Sequence, residues 1–345
     1  MHFQLHFIRQ IPAKSLVFIT SVLLAFLLLS CGQPDVYVYN EGPVYGTYYN
    51  IVYESKGGKD FHEEIKKLFA EFDLSFSTFN PKSTISKINQ NERVVLDPWF
   101  TNCFIRSEEI SELTEGAFDI TVAPLVNAWG FGFSKKETVT PDLIDSLLTI
   151  TGYRKVMLEN GRIKKEHPSI MLDMSAIAKG YTSDLIADFL ARQGCENYMV
   201  EIGGEVVARG VNAKGNIWSI GISKPDESGL LVDQELQAVV RLDGKALATS
   251  GNYRNFYEED GKKYAHTIDP STGYPTQHNL LSATVLADDC MTADALATAF
   301  MVLGLERSVE LSQSLKNIDV YFIYSDTNGF NTIYFSEGFQ KYLVE

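Results

Sequence analysis

The sequence predicts an α+β protein with antiparallel or mixed sheets and with helices packed on one face of each sheet. Runs of β-branched and aromatic residues bounded by turn residues recur along the chain, and such runs are typical of strands. From residue 197 onward most segments are short strands, without the regular strand–helix alternation of a parallel sheet. With 345 residues and 45% hydrophobic content, the chain can form one large domain or two closely packed ones.

Each predicted helix has a start or stop signal. One helix should begin near residue 60, a second should end near 115, and a third should begin at 141 after the Thr-Pro at 140–141. A fourth should follow the turn within 172–181 and end at 193, and two more should span 292–303 and 305–314. A glycine follows residues 115, 193 and 303. The predicted strands span 45–53, 198–202, 206–209, 217–222, 236–242, 246–249, 320–324 and 332–335. Asn160-Gly161 should close a hairpin, because both residues tolerate the positive φ of a type I′ turn.

The first 31 residues have the pattern of a secretory signal. Arg9 and Lys14 precede an apolar run over residues 16–29, and small residues follow it. The run ends in Leu28-Leu29-Ser30-Cys31, which resembles the bacterial lipobox, where the cysteine is lipidated and becomes the mature N-terminus. An uncleaved anchor is the alternative, although the run is short for one. Both interpretations predict a membrane-anchored protein facing the periplasm or cell exterior, with residues 32–41 as a tether, and we favour the inner membrane over the outer.

Charge and cysteine content narrow the partners and the redox chemistry. The net charge of −14 argues against a nucleic-acid backbone as partner. Beyond Cys31 the chain has Cys103, Cys195 and Cys290, which cannot all pair and form no CxxC motif. We therefore expect free, mostly buried thiols.

Three segments have compositions that suit ligand binding. Residues 74–83 alternate serine with aromatic residues before Asn-Pro, which indicates an exposed binding segment or, if Phe76 and Phe79 are core residues, a strand leading into a turn. Residues 116–125 surround one Phe and one Asp with small residues, so that backbone could approach a flat ring. Gly203-Gly204 marks either a bulge or a close approach of ligand to backbone.

A strand-to-helix turn at residues 172–181 contains Asp173 and Lys179. Backbone N–H groups and the helix dipole at such a turn can bind phosphate. The alternative is an ordinary connection with Lys179 as a solvated surface charge, and the residues alone favour it. The chain contains neither a Walker A loop nor a GxGxxG motif.

The stretch from residue 264 to 304 combines a rigid turn with a helix. The turn at 266–275 has two prolines that fix φ and a glycine that permits a positive φ. In the following helix Asp294 and Thr298 are four residues apart and lie on one face. The two side chains could offer oxygen ligands to a hard cation. Alternatively, Thr298 bonds back to the Asp294 carbonyl and no metal is involved.

Taken together, several motifs occur in a characteristic order. They are Gly46-Thr47, Gly116-Ala117-Phe118-Asp119, residues 173–180 (DMSAIAKG), Ile202-Gly203-Gly204-Glu205, residues 266–273 (HTIDPSTG) and residues 292–298 (TADALAT). With the lipobox cysteine, this series closely resembles the ApbE family of FAD:protein FMN transferases. The resemblance covers about residues 42–340 and implies a T-fold-related, two-lobed single domain.

The resemblance implies an activity, a cofactor and a partner. Members bind FAD and Mg²⁺, split the FAD pyrophosphate and attach FMN to a Thr or Ser of a target flavoprotein subunit in a membrane electron-transfer complex, with release of AMP. Magnesium suits a sparse site of oxygen ligands. The alternatives are an FAD pyrophosphatase, which uses water as the acceptor, and a non-catalytic flavin-binding lipoprotein. A solute-binding lipoprotein fits less well, because its parallel strands are not evident here.

The resemblance also implies residue roles. The magnesium ligands would be Asp294, Thr298 and the Ala176 carbonyl. The FAD contacts would be Tyr45, Phe79, Ala117, Phe118, Asp119, Asp173, Lys179, His266 and Ile268. His266 is the candidate base for the acceptor hydroxyl, since its ordinary pKa lies near neutrality; a histidine that only hydrogen-bonds its loop is the alternative. The chain departs from many members at Tyr45, Lys179 and Ser271, and none of these departures touches the metal pair.

Overall fold

A computed structural model describes residues 35–132, 138–225, 235–252, 256–259 and 262–344. The strands are β1 (Asp35–Val44), β2 (Thr47–Lys56), β3 (Val156–Glu159), β4 (Arg162–Lys165), β5 (Tyr198–Ile202), β6 (Glu205–Arg209), β7 (Trp218–Ser223), β8 (Leu236–Leu242), β9 (Lys245–Gly251), β10 (Phe256–Glu259), β11 (Lys262–Ala265), β12 (Leu280–Ala287), β13 (Asp319–Ser325) and β14 (Asn331–Phe335). The helices are α1 (His62–Phe76), α2 (Thr84–Asn89), α3 (Pro98–Leu113), α4 (Ala123–Ala128), α5 (Pro141–Leu148), α6 (Ser175–Arg192), α7 (Cys290–Leu303), α8 (Leu305–Ser314) and α9 (Glu337–Gln340).

An eight-stranded sheet organises the described residues. Its strand order is β1-β2-β5-β6-β9-β12-β13-β14, and every neighbouring pair is antiparallel. Three two-stranded sheets accompany it, β3–β4, β7–β8 and β10–β11. The α+β class with antiparallel sheets is therefore confirmed. Asn160 and Gly161 join β3 to β4 with φ of 52° and 71°, as the hairpin prediction required.

The two faces of the large sheet are covered differently. Helices α6 and α7 pack on one face, where Ala248, Ala283 and Val285 of the sheet contribute to the largest core cluster. On the other face the β7–β8 hairpin places Trp218 and Val240 over the sheet in a second cluster. Helical cover on one face agrees with the expectation. The small β7–β8 hairpin covers only part of the opposite face.

The predicted tether was wrong over most of its length. Residues 35–41 belong to β1, which pairs along its whole length with β2, from Asp35 opposite Lys56 to Val44 opposite Thr47. The tether was inferred from the position of residues 32–41 after the lipobox-like cysteine. Pro43 does not prevent the strand, because an edge strand tolerates proline where one side of its ladder has no partner. Residues 1–34, including Cys31 and the apolar run, lie outside the described residues.

Other elements also differ from expectation. Residues 74–76 extend helix α1, and Phe76 is buried there, so the strand alternative was wrong; Phe79 follows in a turn and is exposed. Gly203 and Gly204 form a two-residue hairpin turn between β5 and β6 rather than a bulge. Strand β12, which lies next to β9 in the sheet, had no sequence prediction at all. Within the described residues no helix is both long and apolar enough to span a bilayer.

The three cysteines other than Cys31 are free and buried, as predicted. Burial raises the pKa of the Cys103, Cys195 and Cys290 thiols, so the reactive thiolate is disfavoured. These thiols are structural, packed as small apolar side chains.

Helix α6 also ties down the start of α7. Asp184 accepts hydrogen bonds from the Cys290 and Met291 backbone N–H groups, each at 2.8 Å. Burial nevertheless raises the pKa of Asp184 to about 7. A carboxyl whose folded-state pKa is raised favours folding at low pH, and that contribution is lost as the pH rises through the folded-state pKa.

We therefore expect the free energy of unfolding to contain a part, of a few kcal/mol, that declines between about pH 4 and pH 7. Asp184→Asn, which mimics the protonated acid, should remove that part and flatten the profile. Urea unfolding of both proteins from pH 4 to 8 measures it, and parallel profiles would contradict the assignment.

Candidate active site

The site is built where α6 and α7 cross without a side chain between them. A Cβ placed on Gly180 would lie 2.2 Å from the Cys290 carbonyl oxygen and 2.8 Å from the Asp294 Cβ, so only glycine fits. The Gly180 N–H donates to the Asp294 Oδ2 at 3.0 Å. The crossing therefore fixes Asp294 of α7 against the first turns of α6.

A lysine lies between two buried carboxylates at this crossing. The Lys179 Nζ is 2.9 Å from the Glu205 Oε1 and 3.6 Å from the Asp294 Oδ1. Glu205 and Asp294 are 4% and 2% exposed. Burial raises the pKa of Glu205 to about 7 against the lowering effect of Lys179. Burial alone would lower the pKa of Lys179, but Asp294 and Glu205 outweigh it and raise that pKa. The interpretation of Lys179 as a solvated surface charge was therefore wrong.

Of the proposed metal ligands, Thr298 lies at the end of β9. The Thr298 hydroxyl lies 3.3 Å from the Ser250 hydroxyl, a contact that differs from the expected bond back to the Asp294 carbonyl. Ala176 lies in the first turn of α6, and its usual helical donor would be the Gly180 N–H, which donates to Asp294. Among the described residues, the Asp294 Oδ1 forms a 3.6 Å ion pair with Lys179 and no hydrogen bond. A carboxylate oxygen, a hydroxyl and a carbonyl are the hard donors that Mg²⁺ prefers, so the set fits that ion.

No cluster of three or more His, Cys, Asp or Glu suited to a metal occurs in the described parts of the chain. The donor set predicted here has only one carboxylate and would not form such a cluster. Lys179 adds a positive charge close by, which sets a limit on how strongly the site attracts a cation.

The loop of residues 117–121 meets the start of α6. The Asp173 N–H donates to the Ile120 carbonyl at 2.8 Å, and the Asp173 Oδ1 accepts from the Ser175 N–H at 2.8 Å. Burial raises the pKa of Asp173. Asp173 therefore accepts a hydrogen bond from the first turn of α6 and joins that turn to the loop. The predicted strand end before this helix was wrong, because residues 170–174 lie in no strand.

Within that loop, two predicted FAD contacts have structural partners. Phe118 is 2% exposed and belongs to the main core cluster. The Asp119 carboxylate accepts from the Thr121 N–H, the Thr121 hydroxyl and the Tyr153 N–H, at 2.6–2.7 Å. Part of the loop backbone is engaged as well, because the Ala117 N–H donates to the Thr114 carbonyl and the Phe118 N–H donates to the Thr114 hydroxyl, each at 3.1 Å.

The predicted contacts Tyr45 and Phe79 flank α1. Tyr45 lies in the β1–β2 turn with φ of 48°, and its hydroxyl donates to the Phe69 carbonyl at 2.8 Å. Its ring packs edge-on against Phe69, with centroids 5.9 Å apart. Burial, followed by the charge of Asp73, raises the pKa of Tyr45. Phe79 is 80% exposed in the turn that follows α1.

The rigid turn at residues 266–275 is held at the end of β9. The Thr267 hydroxyl donates to the Asn252 side-chain oxygen at 2.6 Å, two residues beyond Ser250. His266 packs near Phe131, with ring centroids 6.5 Å apart. Ile268 is 4% exposed in a small core cluster with Leu125, so its side chain belongs to the core.

Two residues of the site were not assigned roles from the sequence. Glu205 stood in the Ile202–Glu205 motif, and its place directly after a two-glycine turn was a usable signal. No sequence signal pointed to Ser250, because its contact with Thr298 depends on how β9 packs against α7. Both lie beside the predicted lysine and metal ligands.

Comparison with known proteins gives this arrangement its context. The family model described as "ApbE family" matches residues 45–322. A protein of Vibrio cholerae named FAD:protein FMN transferase is 39% identical over 92% of this chain and 96% of its own length. One of Haemophilus influenzae with the same name is 37% identical over 91% and 94%. The solved structure titled "Flavin Transferase ApbE from Vibrio cholerae" superposes with a TM-score of 0.81 at 37% identity, covering 90% of this chain and all of that one.

Fold, site and matches together define an enzyme of the flavin transferase class. The antiparallel sheet with helices on one face is the architecture shared with those structures. The chain belongs to the ApbE family.

Proposed function

We propose that this enzyme is a magnesium-dependent FAD:protein FMN transferase that attaches FMN to a Thr or Ser of a target flavoprotein subunit and releases AMP. The observation that carries the proposal is the grouping of Asp294, Thr298 and Lys179 around the crossing of α6 and α7. The names of the relatives support the same activity.

The reaction replaces the phosphoanhydride bond of FAD with a phosphoester bond between FMN and the acceptor. The acceptor oxygen forms a bond to the phosphorus of the FMN half, and the bond from that phosphorus to the bridging oxygen breaks. The bridging oxygen leaves with AMP, and the acceptor proton passes to a base. Such transfers depend mainly on positioning and on neutralising charge. Lys179 supplies positive charge at the site, and Glu205 and Asp294 hold its ammonium in place.

Asp294, Thr298 and the Ala176 carbonyl would hold Mg²⁺, which when bound would neutralise pyrophosphate charge. The α6 N-terminus and the loop around Ala117 would receive FAD, with Tyr45, Phe79, Phe118, Asp119, Asp173, Lys179, His266 and Ile268 framing the pocket. His266 would accept the acceptor proton, since the Thr267–Asn252 bond holds its turn at the end of β9.

We also propose that Cys31 carries lipid and anchors the enzyme to a membrane, facing the periplasm or cell exterior. The lipobox-like Leu28-Leu29-Ser30-Cys31 supports this. An anchored enzyme would meet its acceptor, a subunit of a membrane electron-transfer complex, at the same surface. Mass analysis of the full-length protein from membranes would test it: a mature chain that starts at residue 31 with added acyl mass is expected, and an intact residue 1 would contradict it.

Mass spectrometry tests the activity. The chain from residue 32 is mixed with FAD, Mg²⁺ and a flavin-subunit domain that has an exposed threonine. A gain equal to FMN minus water, abolished by EDTA, is expected. Free FMN and AMP without a gain would instead indicate the pyrophosphatase, and intact FAD would indicate a binding protein.

A further inference from the structure

A cavity of about 510 Å³ lies on the sheet face opposite α6 and α7, at the same end of the sheet as the site. Its floor includes the cross-strand pair Asn50–Glu201 and Thr249 of β9, and its wall is strand β7. We call this cavity the edge groove. Its volume is that of a ligand pocket rather than a packing defect.

The wall of the edge groove is formed by strand β7, which pairs with one strand only among the described residues. β7 pairs with β8 on one side, and no described strand pairs with it on the other. Residues 219–223 all line the groove, although alternate side chains of a strand point to opposite faces. Consecutive residues can all line a cavity when the edge of the strand, with its backbone N–H and C=O groups, borders it. Such an edge is a template for an added strand.

The floor of the groove carries a carboxylate without a counterion. Glu201 is partly buried, and none of the described residues forms a hydrogen bond or ion pair with its side chain. Burial raises the pKa of Glu201. A ligand with N–H donors or a positive charge would satisfy it.

One end of the groove meets the active site. A Cβ placed on Gly203, which lines the groove, would lie 3.3 Å from the Glu205 Oε2. That oxygen is buried and has no hydrogen-bond partner, while the Glu205 Oε1 binds Lys179. A Cβ on Gly204 would meet nothing within 4 Å, so the turn leaves open space.

The strands leave the same end open. β6 pairs with β9 only through Ala208 opposite Lys245 to Val206 opposite Leu247, whereas β9 pairs with β12 up to Gly251. Residues 249–251 thus have no described partner on the β6 side. Thr249 lines the groove, and the next residue, Ser250, contacts Thr298. A chain lying in the groove can pass over the two-glycine turn to the metal ligands.

We propose that the edge groove binds the hydroxyl-bearing segment of the acceptor protein, in an extended conformation, as a strand added to β7. The inference rests on the proposed transferase function and names the place where its protein substrate binds. Backbone hydrogen bonds to β7 would hold the segment, Glu201 would select N–H donors or a cation within it, and the acceptor hydroxyl would reach the site past Gly203-Gly204. FAD would bind elsewhere, at the α6 N-terminus and the loop around Ala117 as proposed above.

Two groove variants with matched controls test this. Glu201→Lys reverses the charge of the floor, and Glu310→Lys makes the same change on the exposed side of α8. Ser219→Tyr fills the groove, and Asn331→Tyr makes a similar change on the opposite edge strand, β14. Each groove variant should raise the KM for a flavin-subunit acceptor domain at least tenfold. The FAD Kd and the rate of FAD cleavage by water should stay within twofold of wild type, and both controls should match wild type.

Hydrogen exchange on the wild-type enzyme provides a readout independent of chemistry. The acceptor domain alone should protect amides of residues 219–223. Protection without FMN attachment would reject the transferase and keep the groove as a binding site. FMN attachment with unchanged KM in the variants, or with protection elsewhere or nowhere, would overturn the groove proposal.

Discussion

Asp294→Asn should reduce FMN transfer by about a thousandfold or more while the protein remains folded, since a metal-bound or charge-neutralising group contributes several kcal/mol to a transition state. The amide oxygen of Asn can still accept from the Gly180 N–H, so the crossing of α6 and α7 is preserved. The negative charge that faces Lys179 and the proposed metal is lost. Single-turnover transfer at saturating FAD and millimolar Mg²⁺ measures the effect.

Asp289→Asn is the matched control, because Asp289 caps the same helix and asparagine is an equally good N-cap. Near-wild-type transfer by Asp294→Asn would remove Asp294 from the metal site. Asp294→Ala would be a poorer test. It would leave the Gly180 N–H unsatisfied in a buried place, at a cost of about 1–3 kcal/mol.

Lys179→Met should lower the free energy of unfolding on the order of 3 kcal/mol at pH 8, because removing one partner of a buried ion pair leaves the other uncompensated. The side chain is about one-third exposed, which moderates the loss. Glu205 and Asp294 would then face each other without the ammonium. Because the pKa of Glu205 is raised in the folded protein, that carboxyl favours folding at low pH, so the deficit should shrink as the pH falls toward 5.

Urea unfolding of wild type and Lys179→Met at pH 5 and pH 8 measures this. Lys245→Met is the control, since Lys245 pairs with the largely exposed Asp288 at the far end of β9. Equal losses for the two variants, or a deficit that grows at low pH, would contradict the buried cluster. Transfer activity of Lys179→Met should also fall, because the site loses its positive charge.

Much of the fold could be predicted from local signals. Thr140-Pro141 and Asn160-Gly161 dictated their own backbone geometry, and the structure has the expected cap and hairpin. β1 and β12 could not be predicted in the same way. β1 contains Gly42-Pro43, and β12 is a short apolar run inside a region dominated by a turn and a helix. Their pairing with β2 and β9 depends on long-range register, which local composition does not encode.

The site residues also fall into those that local spacing predicts and those that depend on long-range packing. Spacing placed Asp294 and Thr298 on one face of a helix, and the structure has that helix from Cys290 to Leu303. Lys179 was underestimated, because its partner Glu205 is 26 residues away and meets it only through the packing of α6 on β6. Asp119 was predicted to contact FAD because of its residue type and motif, but its carboxylate is hydrogen-bonded within the protein. Its oxygens are occupied by Thr121 and Tyr153, a contact that spans 34 residues.

If Cys31 carries lipid, the early start of β1 limits the distance between the membrane and the active site. Only three residues separate that cysteine from Asp35, and three residues reach at most ~11 Å. The ten residues of β1 then extend ~33 Å to the turn at Tyr45, where the site begins. If β1 runs away from the membrane, the active site would lie on the order of 40 Å above the bilayer. The short linker would let the enzyme rotate about its anchor but not move far from the membrane. An acceptor in the same membrane would therefore have to present its hydroxyl at a similar height.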